Sequence, residues 1–89
     1  MRELKKEFDG RGQVKGFRFT QIEQNHKAFI YQVDNNGTKH YEVFKRVENT
    51  RYNCVSYPTY KAFGIWAWSY FDFNNAIAKF QELTEVDNG

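Results

Sequence analysis

Two phenylalanines interleaved with cations, in Lys15-Gly16-Phe17-Arg18-Phe19, are the grouping in this chain with most chemical promise. A ring beside a guanidinium or ammonium can stack on a nucleobase while the cation meets a phosphate. Other constellations point to less. His26, His40 and Cys54 lie far apart and in no ligand-spaced motif, so no metal site is expected. Cys54 with His40 would need a depressed thiol pKa and an orienting third group, and no sequence feature supplies them. Gly10, Gly12 and Gly16 are spaced GxGxxxG, neither following a credible strand nor opening a helix as a phosphate loop requires. The carboxylates form no recognisable acid/base pair. No catalytic residue, metal ligand or cofactor is assigned, and the chain is expected to bind rather than catalyse.

The elements that must position these rings follow from composition and period. With 89 residues, 27% charged and 19% aromatic, the chain fits one folded domain with a single modest core. Leu4 and Leu83 are the only leucines, so Phe and Tyr must build that core. The net charge of +2 is unevenly spread: residues 1–18 hold six Lys and Arg against three carboxylates, and residues 72–89 hold four carboxylates against Lys79. Ends of opposite sign attract, within the chain or between copies, and salt weakens the attraction. One cysteine excludes an internal disulfide and fits a reducing compartment. The start MRELKKEF lacks the apolar stretch of a signal peptide, and the longest apolar run, Ala62 to Trp68, is too short to span a membrane. A cytoplasmic location is expected, with no membrane partner.

Residues 1–12 are expected as a flexible or partly ordered N-terminal arm. Residues 16–24 form a first strand, with Ile22 out of phase as at a bulge. Residues 27–34 and 38–47 make a hairpin. A three-residue loop, Asn35-Asn36-Gly37, would pair Tyr31 with Tyr41, Phe29 with Val43 and Ala28 with Phe44, setting apolar mostly against apolar. Residues 48–60 connect, with Pro58 limiting any strand there. Residues 61–71 form a fourth strand within the aromatic run Tyr57 to Phe73. From Phe73 the spacing changes to that of an amphipathic helix, with Ala76, Ile77, Phe80 and Leu83 on one face and Asp72 or Asn74 as cap. Residues 86–89 are expected as a disordered tail. The fold class is therefore α+β: a four-stranded antiparallel meander, β-β-β-β-α, with one C-terminal helix packed on one face.

Three resemblances bear on function. Lys15 to Ile22 resembles the RNP1 signature of RNA-recognition domains at Lys15, Gly16, Phe17 and Phe19, and departs from it at Arg18, Thr20 and Ile22. That fold needs a strand, a helix and a strand before the signature. The charged, glycine-punctuated residues upstream are not expected to supply them, so the fold is set aside. A Trp-bearing strand followed by a helix with Ala76, Phe80 and Leu83 looks like the end of a WGR domain, a sheet-plus-helix module that contacts nucleic-acid ends and partner domains. The Trp-Gly-Arg tripeptide is absent, since Ala67 and Trp68 follow Trp66, so the likeness is one of shape. The segment HYEVFKR (His40 to Arg46), the pattern YP-x4-FG-x-WAW from Tyr57 to Trp68 and the short length are similar to small uncharacterised proteins of bacteriophages and mobile elements. This resemblance implies the host cytoplasm as location, but no activity and no site residues.

One helix covers only part of such a sheet, so the uncovered face is the expected binding surface. The expected function is protein–protein interaction or self-association through that face. Phe29, Tyr31 and Tyr41 are the candidate contacts if Trp66, Trp68 and Tyr70 pack under the helix, and the reverse assignment exposes Trp66, Trp68 and Tyr70 instead. The alternative partner is nucleic acid, with Lys15, Arg18, Lys45 and Arg46 on phosphates.

Overall fold

Alternating ring-bearing residues carry the chain through its strands before a helix closes it. The computed structural model describes residues 1–85 and contains β1 (Glu7–Asp9), β2 (Phe17–Gln24), β3 (Ala28–Asn35), β4 (Thr38–Lys45), β5 (Glu48–Asn49), β6 (Cys54–Val55), β7 (Ala67–Tyr70) and α1 (Phe73–Thr84). The tail expected over 86–89 lies outside the described residues. Five strands form one antiparallel sheet in the order β1-β2-β3-β4-β7, and β5 pairs with β6 separately. The α+β class and the single C-terminal helix are as expected. The sheet has five strands instead of four because Glu7–Asp9, within the segment assigned to an arm, pairs along β2. The fourth expected strand shrinks to Ala67–Tyr70, since Tyr60–Ala62 make a 3-10 turn and the chain turns again through Gly64–Trp66. The bulge expected at Ile22 is present, between Gln21 and Glu23.

The hairpin register differs from expectation by one residue, which reverses the cross-strand partners. Asn36 and Gly37 form a two-residue turn with φ of 52° and 94°. Both central residues are left-handed, the geometry whose twist matches the flanking strands. Asp34 Oδ1 accepts from the Gly37 N–H at 2.7 Å and closes the turn. Tyr31 therefore lies opposite Glu42, Phe29 opposite Phe44 and Ile30 opposite Val43. The expected register avoided Glu42 on an apolar face, but Tyr57 and His40 reach that carboxylate from outside the pair and satisfy it.

The register divides the rings between two faces. On one, Ala28, Ile30 and Val43 are buried beneath Ala76 and Phe80 of α1, with Tyr41, Tyr70, Ile77 and Leu83 at the margin. Asp72 caps the helix by accepting from the Asn74 N–H at 2.7 Å. The Lys79 ammonium lies 4.0 Å from the centre of the Trp68 ring. On the other face Phe19, Phe29, Tyr31, Val33 and Phe44 form a second core with Val55 and Ala62 from the 46–66 connection. Trp66 belongs here, edge-on to Phe44 at 6.3 Å, so the two tryptophans serve opposite faces. The alternation that grouped them holds only inside β7, and Trp66 precedes that strand.

Candidate binding groove

The face away from α1 is covered unevenly. Backbone bonds from Arg2 to Asn53 and from Val55 to Arg2 tie the N-terminal segment to β6. The Tyr31 hydroxyl donates to the Lys5 carbonyl at 2.6 Å and accepts from Gln21 Nε2 at 2.9 Å. Beside this covered region runs an open groove of about 1440 Å3. Phe8, Phe17 and Phe19 line it from β1 and β2, and Tyr57, Tyr60 and Phe63 line it from the 46–66 connection. Phe8 stacks on Phe19 at 4.7 Å, and Tyr57 meets both rings edge-on at 5.5 and 5.3 Å. Tyr60 is 79% exposed. The remaining wall is the 3-10 turn Gly12–Val14, whose carbonyl at Val14 approaches Gly10 so closely that a Cβ there would lie 2.1 Å from the oxygen.

Charge in the groove is sorted by partner. The Arg18 guanidinium bridges Glu7 at 3.1 Å and Asp9 at 3.0 Å, and the hydrogen bond to Asp9 holds it more firmly protonated than usual. Arg2, Lys5 and Arg11 also line the groove and carry no ion pair among the described residues. Glu42 reaches the groove too, its Oε1 accepting from the Tyr57 hydroxyl at 2.7 Å and its Oε2 lying 3.0 Å from His40 Nε2. Burial, reinforced by the Glu42 charge, pushes the Tyr57 hydroxyl far above its ordinary range, so it remains a donor. The carboxylate is thus engaged through both oxygens. The arrangement suits recognition, with rings for contact area and cations on the rim.

The residues proposed from sequence do not converge here. Phe29 and Tyr31 are 1% and 0% exposed, because the N-terminal segment and the 46–66 connection cover the face expected to be open and pack them with Phe44. Both leave the candidate set, having no ring surface for a partner. Tyr41 lies on the helix face, 5.1 Å from the Phe73 ring. Arg46 is held by both Glu3 oxygens at 2.6 Å and by Glu48 at 3.0 Å. Hydrogen bonding to Arg46 keeps the Glu3 carboxyl below its usual range. Lys15 and Lys45 are exposed. Of the interleaved rings, Phe19 is buried and Phe17 half-buried, both lining the groove. Sequence reasoning missed Phe8, Tyr57, Tyr60 and Phe63, together with Arg2, Lys5 and Arg11. The signal for three of these rings was present in the run from Tyr57 to Phe63, but taking residues 61–71 as one strand hid its role as a wall.

Among the described residues, no three of His, Cys, Asp and Glu come together as a metal cluster, and no helix is long and apolar enough to cross a membrane. Comparison with protein-family models, curated proteins and solved structures finds no match to this chain.

Proposed function

We propose that this chain is a non-catalytic binding module that holds an extended segment of a partner protein in the groove opposite the helix. The observation that carries the reading is an open, ring-lined groove beside three cations with no ion pair among the described residues. Large rings anchor protein interfaces because they offer rigid area at low entropic cost. The groove is open and lined by β1 on one side and by Tyr57, Tyr60 and Phe63 on the other, which suits a chain segment better than an enclosed small ligand. The nucleic-acid alternative loses Arg18 and Arg46 as phosphate contacts, since carboxylates hold both. The unpaired Cys54 fits a module working in the cytoplasm.

Selection of a random peptide library on the immobilised protein tests this reading. Recovered peptides are expected to bind the wild type and to lose about tenfold or more on Tyr60→Ala or Phe17→Ala, since each removes a ring contact worth more than ~1 kcal/mol. Recovery of peptides indifferent to both changes would refute it, as would tight, salt-steep binding of oligonucleotides alone. Sedimentation run in parallel detects self-association as the occupant.

A further inference from the structure

The groove has a free backbone edge along one side, and that edge narrows the choice of partner. Strand β1 is an outer strand of the sheet. Its bonds to β2 include Lys6 O with Gln21 N and Gly10 N with Phe17 O. By the alternation of an antiparallel ladder, Phe8 also faces β2, and the N–H and C=O groups of Glu7 and Asp9 face outward. All three β1 residues line the groove. Lys5 and Arg11 stand just before and just after β1, and Arg2 lines the same groove. Arg18 bridges both β1 carboxylates, leaving that trio a net charge of −1 against the three cations Arg2, Lys5 and Arg11.

We infer that the occupant is an acidic, extended peptide that adds as a sixth strand along β1 and directs an apolar side chain onto the rings beside Phe8. This deepens the proposed function and rests on it. Two observations select the chemistry. An edge offering alternating N–H and C=O groups needs a partner that both donates and accepts, as a peptide backbone does. A phosphodiester backbone only accepts, leaving the Glu7 and Asp9 carbonyls without donors. The cations at either end of the edge then favour acidic residues flanking the apolar one. At ~3.3 Å per residue, the reach from Lys5 to Arg11 corresponds to a peptide of about seven residues.

The test is a titration of the full-length, 15N-labelled chain at low salt with three probes. The first is the capped peptide Asp-Glu-Phe-Glu-Phe-Glu-Asp, the second the same peptide with lysine at every acidic position, and the third a short oligothymidylate. The acidic peptide is expected to bind about tenfold tighter than its lysine counterpart, a preference that shrinks with added salt. It is expected to slow amide exchange at Glu7 and Asp9 by tenfold or more. The paired change Lys5→Glu with Arg11→Glu, at two exposed positions, is expected to reverse the preference. Peptide binding that shifts Phe17 and Tyr60 without protecting the Glu7 and Asp9 amides overturns the strand-addition inference and leaves the groove reading standing. Equal binding of both peptides overturns the charge assignment in the same way. Binding of the oligothymidylate alone, or of no probe, overturns both the inference and the proposed function.

Discussion

Glu42 sits opposite a buried tyrosine on an otherwise apolar face, and its neighbours make that position tenable. The Tyr57 hydroxyl and the His40 ring each meet one carboxylate oxygen. Tyr57→Phe removes a charge-assisted bond and leaves a half-buried oxygen short of a donor. The expected loss is ~1–3 kcal/mol of stability, measured by urea unfolding at neutral pH. The same tyrosine governs the alkaline limb. Its pKa and that of Tyr31 are both raised from 10.0 in the folded chain, chiefly by burial. Above about pH 10 the unfolded chain sheds protons that the folded chain retains, so this contribution to stability is full below that pH and falls as pH rises. Stability followed by circular dichroism is expected to fall by up to ~1.4 kcal/mol per pH unit for each such group, and Tyr57→Phe to make the fall shallower. None of this was legible in the sequence. Tyr57 and Glu42 are brought together by a connection with no period, and the ion pairs that occupy Arg18 and Arg46 are likewise tertiary.

The elements were more legible than their alignment. Period alone located β2, β3, β4 and α1, because alternation and helical spacing are imposed by which side of each element is buried. The hairpin register was not legible from side-chain matching, since the expected pairing counted Glu42 as a cost. Turn chemistry carried the answer: Asn-Gly is the dipeptide that populates two successive left-handed residues. Gly37→Ala, at φ 94°, is expected to cost ~1–2 kcal/mol and to lower the melting temperature. Gly10→Ala is expected to cost more, because a backbone carbonyl lies where its Cβ would sit and must move. Heteronuclear spectra of that variant should show shifts concentrated in β1 and the Gly12–Val14 turn.

At the scale of the whole molecule, the three carboxylates of residues 1–18 are engaged by arginines, whereas Arg2, Lys5 and Arg11 carry no ion pair among the described residues. Glu3 meets Arg46, Glu7 and Asp9 meet Arg18, and the Lys27 ammonium reaches the Glu85 carbonyl at 3.3 Å. The overall plan of one sheet and one helix was readable because it needs only element order and two apolar faces. The candidate site was not, because it is assembled from two segments without a common period, the β1 region and the Tyr57–Phe63 wall. The sheet order also has a kinetic consequence. Strands β1 to β4 neighbour one another in chain order, whereas β7 must close across residues 46–66 before α1 can dock. Loop closure disfavours that step early, so the β3–β4 hairpin is expected in the folding nucleus and the helix outside it. In stopped-flow measurements Val43→Ala should mainly slow refolding, while Phe80→Ala should mainly hasten unfolding. The helix that closes the fold would then be the first part to let go.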